Sequence, residues 1–381
     1  MDRSDILGGR SMAGMEFDVV EIDDRPAIAF PEAPPGFESE LVAVAADEFE
    51  IHGGQFEGAR LSFALDESGT PMGTVGGLPI LTRLDRPSAP PPGSGLTAPP
   101  LVVTEAVEAR FHELLEEIES RPDGRVPNAE LPTPPVTFVQ WLMNRDAVIF
   151  HGSNRADIDE FEPVRASMEL QDTGGRGNLG AVYGTHDGLW SMFFAIVDRQ
   201  RLRGSIRNGV LRYGPAGRSI DLYRFSVHHE CLEEQPFTTG ALYLLPRDRF
   251  ERLPFFPGGP ASNEWVCHEP VRPLARLSIE PEDFPFLTEI GGHDDGPLIE
   301  FGRLGDEVYD RLVSALRTDS GFEIVTSADG ELVRRFIESS SAFYPDVTRT
   351  ATEVDDGIMI SMTGPPAFID AMTKRLAGHL T

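Results

Sequence analysis

The sequence predicts an α+β protein in which strands outnumber helices. Apolar and polar side chains alternate within residues 15–84, the period of two that a half-buried strand needs, and strand-like segments dominate 151–285. Helical spacing is confined to blocks near 104–120, 134–145 and 188–198 and to the last hundred residues. The 38 glycines and 32 prolines among 381 residues fit many turns and at least one linker.

Taken in order, Phe17 and Val19 stand between polar neighbours, and Leu61, Phe63 and Leu65 repeat the pattern before the turn-like DESGTPMG. Residues 1–86 therefore read as a β-rich accessory domain. Segment 87–100, PSAPPPGSGLTAPP, holds six prolines and no charge. It reads as an extended, semi-rigid linker, with a surface loop inside one domain as the alternative. At 104–120, Val107, Phe111, Leu114, Leu115 and Ile118 share one helix face, and RPDGR stops it. PPVTFVQWLMNR predicts a second helix, because proline is tolerated in a first turn whose N–H groups lack partners.

AVIFHGS reads as a buried strand running into a turn. AVYGT, DLYRFSV, GALYLLP, EWVC and RPLARLSI read as further strands around the apolar helix GLWSMFFAIVD. Residues 101–290 make up the expected central domain. Residues 300–381 read as an α+β accessory domain. Val308, Leu312, Ala315 and Leu316 are expected on one helix face, and Leu332, Val333, Phe336 and Ile337 on another. GIMISM is expected as a strand and PPAFIDAMTKRL as a closing helix.

Composition narrows the function. The chain carries 33 basic against 62 acidic residues, a net charge of −29. Such a surface repels phosphate backbones and anionic lipid, so nonspecific nucleic-acid binding and membrane attachment are not expected. No run of 18 apolar residues exists, and the first fifteen residues lack the apolar stretch of a secretion signal. Two cysteines, Cys231 and Cys267, exclude a disulfide framework. The expected location is the cytoplasm. Lys374 is the single lysine, which points to a GC-rich bacterial genome.

Three short segments carry candidate chemistry: Phe150-His151-Gly152-Ser153, Gly180-Ala181-Val182-Tyr183 and Ser262-Asn263-Glu264-Trp265. A histidine at a strand end can hold a hydroxyl, and a glycine beside it lets a ligand approach the backbone. A tyrosine offers a flat face to a heteroaromatic ring. A carboxylate facing a sugar stabilises oxocarbenium character. Together these groups suit cleavage of an N-glycosidic bond in a dinucleotide. Taken singly, His151 fits a core histidine, Tyr183 and Phe194 fit core aromatics, and Glu264 fits a surface carboxylate.

The order His-Gly-Ser, Gly-x-x-Tyr, Asn-Glu-aromatic resembles the poly(ADP-ribose) polymerase-like, His-Tyr-Glu branch of the ADP-ribosyltransferases. In that family a serine follows the tyrosine after eight residues and an aromatic after eleven; here Ser191 and Phe194 stand at those offsets from Tyr183. The resemblance covers roughly residues 145–285. It implies the split mixed-sheet fold of the superfamily, with NAD as substrate and no metal. His151 would hold a ribose hydroxyl. The Gly152 backbone and Ser191 would hold the nicotinamide carboxamide. Tyr183 and Phe194 would sandwich the ring, Ser153 would lie toward the adenosine side, and Glu264 would be the catalytic acid.

The glycine-rich approach Gly174–Gly180 is longer than the family's, and Arg165 or Arg176 would meet the pyrophosphate. Gly184-Thr185-His186-Asp187 departs from the usual Phe-Ala-Asp, and no counterpart of the regulatory helical domain of chain-forming members is seen. The implied activity is mono-ADP-ribosylation of an unknown acceptor, be it protein, nucleic acid or small molecule. An NAD glycohydrolase toxin and a non-catalytic NAD- or ADP-ribose-binding module are the alternatives. An RNA 2′-phosphotransferase shares the fold but relies on histidine with arginines, which Glu264 argues against. The pairs His228-His229 and Cys267-His268 offer metal-ligand types, but adjacent strand residues face opposite ways. Seven arginines and one acid, Asp221, occupy 199–224, either as a balanced strand pair or as a contact patch for an acidic target.

Overall fold

The computed structural model describes residues 6–12, 15–65, 71–76, 78–82, 90–118, 125–126, 130–164, 179–255, 258–318, 320–343, 347–364, 372–373 and 376. Over these the fold is α+β, strand-rich, with six helices and several antiparallel sheets. No helix among them is long and apolar enough to cross a membrane. The chain divides into two compact units, residues 1–202 with 206–293, and residues 203–205 with 294–381.

The alternation at the N-terminus closes on itself. Strands β1 (Gly8–Met12), β2 (Met15–Ile22), β3 (Arg25–Ala29), β4 (Ser39–Ala45), β5 (Glu48–His52), β6 (Arg60–Leu65), β7 (Pro71–Val75) and β8 (Leu78–Thr82) form an antiparallel barrel, with β1 pairing to both β2 and β8. Closure leaves no unpaired sheet edge. The β2–β3 hairpin turns on Asp23 and Asp24, both at positive φ (51° and 61°), the mirror-image turn that matches strand twist. Phe17, Val19, Leu41, Ile51, Leu61 and Phe63 fill the interior. Tyr213 and Leu222, far along the chain, complete the same core.

The proline-rich segment 87–100 does not behave as a free linker over its described part. Leu96–Thr97 is a short strand, β9, paired to a strand of the central domain. Gly93 takes φ 70° and lies so close to the Phe225 carbonyl that a Cβ there would sit 2.0 Å from its oxygen. The Phe225 N–H donates to the Gly93 carbonyl at 2.9 Å. An uncharged extended peptide with free backbone groups is a ready partner for a strand edge.

The central region begins with helix α1 (Glu105–Ile118), strand β10 (Arg125–Val126) and helix α2 (Pro135–Met143). It continues with β11 (Val148–Ser153), β12 (Val182–Thr185), α3 (Gly188–Ile196), β13 (Ile206–Tyr213), β14 (Ile220–His228) and α4 (His229–Glu233). Strands β15 (Gly240–Pro246), β16 (Glu251–Pro254), β17 (Ala261–Cys267), β18 (Ala275–Ile279) and β19 (Gly291–His293) complete it. Seven strands form one sheet in the order β10-β18-β15-β11-β12-β17-β16; β13, β14 and β19 form a second, with β9 on β14. Pairing is antiparallel except β10 with β18 and β14 with β19. One core unites helix and sheet, with Phe111, Phe138, Phe150, Phe193, Phe225 and Leu242 all fully buried. Full burial of side chains this large is each worth about 1.5–3 kcal/mol.

The second unit holds α5 (Gly296–Tyr309), β20 (Leu312–Arg317), β21 (Gly321–Thr326), α6 (Gly330–Phe343), β22 (Thr348–Val354) and β23 (Gly357–Thr363), with sheet order β20-β21-β23-β22. Leu332, Val333 and Phe336 face its core from α6, and GIMISM is β23. The helix expected to unite Val308 with Leu312, Ala315 and Leu316 is corrected: α5 ends at Tyr309, and the last three residues lie on β20. Pairing with β21 decides the matter, and it leaves Ala315 buried while the adjacent Leu316 is exposed. Most of the closing helix expected at 365–376 lies outside the described residues.

Candidate functional site

The site is built on β11, β12, α3 and β17. In register, Phe150 faces Thr185 and Thr185 faces Glu264, so β11, β12 and β17 run side by side and bring the three motifs onto neighbouring strands. Directly opposed residues and residues two apart share a sheet face, which places Tyr183, Thr185 and Glu264 on one face. His151 ends the buried run of β11 and is half-buried. Its Nδ1–H donates to the Tyr183 carbonyl at 2.7 Å, and its ring meets Phe161 edge-on at 4.7 Å. That bond sets the tautomer: the neutral ring carries its acceptor lone pair on Nε2.

Gly152 is where the strand meets α3. A Cβ at this position would lie 1.9 Å from the Ser191 carbonyl oxygen, 2.8 Å from the Ala195 nitrogen and 3.0 Å from the Phe194 Cβ. Only glycine allows this approach. It sets Gly152 against the Ser191 and Ala195 backbone and the Phe194 Cβ. Ser191 is 3% exposed, whereas Phe194 is half-buried, with the Arg199 guanidinium 5.8 Å from its ring. Tyr183 is half-buried, and its hydroxyl accepts from the Leu179 N–H at 2.7 Å, which fixes the ring. The Ser153 hydroxyl accepts from the Arg155 N–H at 3.2 Å. Arg165 and Arg176 lie outside the described residues.

Glu264 is half-buried on β17. Its N–H donates to the Ser262 hydroxyl at 3.1 Å, and that hydroxyl donates to the Leu253 carbonyl at 2.9 Å. Asn263 Nδ2 donates to the Val210 carbonyl on β13 at 3.0 Å, so the residue before the carboxylate ties β17 to the second sheet. Trp265 Nε1 donates to His186 Nδ1 at 3.0 Å under the Arg247 guanidinium, 3.8 Å from the ring. Burial first, then the Arg252 charge, lowers the His186 pKa to about 4, so the ring stays a neutral acceptor at ordinary pH.

Asp187 is a residue the motifs did not single out. It lies just before α3 and is 5% exposed. One carboxylate oxygen accepts from the Trp190 N–H at 2.8 Å as an N-cap; the other accepts from the Tyr223 hydroxyl at 2.8 Å. Trp190 Nε1 donates to Asn208 Oδ1 at 2.7 Å. The helix that carries Ser191 and Phe194 is thus clamped to β13 and β14. The signal was present, an Asp just before an apolar helical run. Burial raises the Asp187 pKa to about 6, against the hydrogen bonds from Trp190, Tyr223 and Leu189 that lower it.

This yields a pH prediction. A carboxyl with a folded pKa above its unfolded value binds its proton more tightly when folded. Its contribution to stability is complete below about pH 4 and is lost as pH rises through about 6. Asp187→Asn keeps a neutral group in place. The melting temperature of wild type relative to Asp187→Asn is therefore expected to fall between pH 4.5 and 7.5; a difference that stays constant would contradict the buried charge.

The arginines of 199–224 are largely engaged. Arg201 donates to the Glu234 carbonyl, Arg212 pairs with Asp221 through two bonds of 2.9 Å, and Arg218 donates to the Gly36 carbonyl of the barrel and stacks on Phe37. Arg212 is thus balanced by an acid within the strand pair, while Arg201 and Arg218 hold backbone carbonyls. His228 and His229, expected to face opposite ways, lie together instead: their rings are 4.4 Å apart and both Nδ1 atoms donate to the His293 carbonyl, at 3.2 and 3.3 Å, because the strand turns into α4 at His229, whereas Cys267 ends β17. Concavities of 530 Å³ on the barrel, beside Arg25 and Glu40, and of 340 Å³ between α6 and β22, hold none of the motif residues. Neither a family model, nor a curated protein, nor a solved structure matches the chain.

Proposed function

We propose that the chain is an NAD-dependent ADP-ribosyltransferase of the His-Tyr-Glu type, with the split mixed-sheet core of that superfamily and transfer of single units. The observation that carries the reading is the contact of Gly152 with Ser191 and Phe194 on α3, beside the adjacent strands that hold His151, Tyr183 and Glu264. Three motifs separated by up to 113 positions, counted from 151 to 264, lie on three adjacent strands, with Tyr183 and Glu264 on the sheet face of Phe150 and His151 on the face of Tyr243. The family resemblance supplies their roles, and the local chemistry is compatible with each.

In this reading His151 Nε2 accepts from a ribose hydroxyl. The Gly152 backbone and Ser191 hydroxyl hold the carboxamide, and Tyr183 and Phe194 enclose the ring, where burial against aromatic faces favours a flat heterocycle. The bond between ribose C1′ and the nicotinamide nitrogen breaks, and nicotinamide leaves as a neutral molecule with the electron pair. The Glu264 carboxylate stabilises the positive charge that develops on the sugar. An acceptor nucleophile then bonds to C1′ and loses its proton.

The test incubates the purified chain with NAD and quantifies nicotinamide and free ADP-ribose separately. Nicotinamide release exceeding free ADP-ribose in the presence of cell lysate is the expected result. Equal amounts would identify water as acceptor and the activity as glycohydrolase. No nicotinamide release, with or without lysate, would overturn the proposal.

A further inference from the structure

We propose that the N-terminal barrel is a positioning element for the strand that bears Glu264, acting through its segment Gly53–Phe56. The kinetic part of this proposal rests on the NAD-cleaving reading; the structural part does not. Residues 1–86 read in sequence as an accessory domain, which would be joined to the centre by a tether alone. The contacts are of another kind.

Gly53 (φ 99°) packs on the turn after β13, where a Cβ would lie 2.3 Å from the Gly214 carbonyl oxygen. Gly54 (φ 69°) leaves only 3.0 Å between such a Cβ and the Arg212 carbonyl oxygen. Two successive residues in the left-handed region against foreign backbone form a fitted contact that other residue types would obstruct. The Gln55 N–H then donates to the Arg212 carbonyl at 2.7 Å. Its side-chain Nε2 donates to the Ala261 carbonyl at 2.9 Å. Phe56, buried in the barrel core, meets Phe255 edge-on at 5.2 Å. Phe255 lies between β16 and β17, and Ala261 opens β17, three residues before Glu264.

The same segment therefore grips two structures that lead to the site. One is β17 itself. The other is β13, whose Val210 carbonyl accepts from Asn263 and whose Asn208 accepts from Trp190 on α3. The barrel is rigid because it is closed. Tyr213 of β13 enters its core and meets Phe30 at 5.1 Å. A rigid body that holds both β13 and the start of β17 fixes the spacing between the helix that carries Ser191 and the strand that carries Glu264. Misplacement of a reacting group by about 1 Å costs roughly a hundredfold in rate, so such a brace belongs to the catalytic architecture.

The experiment uses the full chain with Gln55→Ala, and separately Gln55→Ala/Phe56→Leu, after melting curves show both fold. Amide hydrogen exchange is followed by peptide. Exchange over 258–267 is expected to rise several-fold, while 148–153 and 296–309 stay as in wild type. The kcat for nicotinamide release is expected to fall about tenfold with KM for NAD within twofold, the scale of about one lost interaction between groups held in place. Arg25→Ala, which removes the exposed barrel pair Arg25–Glu40 (2.9 Å), serves as control and should change neither readout. Unchanged exchange over 258–267 overturns the proposal whatever the activity, and so does a change in KM without one in kcat. If wild type releases no nicotinamide, the function proposed above fails and the exchange result alone decides the brace.

Discussion

Glu264→Gln is expected to lower the rate of nicotinamide release about 10²–10³-fold while NAD affinity changes by no more than about threefold. The substitution keeps size and removes the negative charge. Charge develops on the ribose only as the glycosidic bond breaks, so the loss falls on the transition state rather than on binding. The local frame survives, because the Glu264 N–H to Ser262 bond and the Asn263 to Val210 bond involve neighbours and backbone rather than the carboxylate. Steady-state rates paired with calorimetric NAD titration test this. Turnover near wild type would remove Glu264 from the chemistry, and an equal loss in affinity would make it a binding residue.

Gly152→Ala is the second large effect, and it acts through packing. The added methyl would lie 1.9 Å from the Ser191 carbonyl oxygen and 2.8 Å from the Ala195 nitrogen, both backbone atoms of α3. Neither can rotate away, so the helix must shift from β11. Overpacking of this kind costs roughly 1–3 kcal/mol or more. The expected result is a melting temperature lower by several degrees. NAD cleavage should be lost at temperatures where the fold persists, because Ser191 and Phe194 move with the helix. Gly209→Ala is the comparison, since a Cβ there meets nothing within 4 Å. Equal behaviour of the two variants would show that the close approach at Gly152 does not matter.

Much of the central region was legible because its signals are local. GLWSMFFAIVD is apolar on nearly every side, as a largely buried helix must be, and its first nine residues are α3. AVIFHGS, AVYGT and GALYLLP are strands because short runs rich in Val, Ile, Leu and aromatic residues suit a sheet covered on both faces. The motifs were readable for the same reason: each is a few residues long, and Ser191 and Phe194 follow Tyr183 at fixed offsets on one strand–helix unit.

Other features depend on partners distant in sequence. Nothing in residues 87–100 states that Gly93 abuts Phe225 or that Leu96–Thr97 pairs with β14. Leu312, Ala315 and Leu316 fit a helical spacing, and only the pairing with β21 makes them a strand. Asp187 looks like a helix cap in sequence, while its second oxygen is claimed by Tyr223, 36 positions away. That bond is what makes a cap into a buried clamp with a raised pKa.

By itself the sequence determined the α+β class, the strand-rich N-terminus, the buried helix after Tyr183 and the candidate residues His151, Tyr183, Ser191, Phe194 and Glu264, because periodicity and short spacing are properties of neighbouring residues. Only the tertiary structure decided that eight strands close into a barrel, that Tyr213 and Leu222 complete its core, and that Gln55 reaches the start of the Glu264 strand. Those facts come from hydrogen bonds and packing between segments up to 206 residues apart, and the free energy of such contacts belongs to both partners at once.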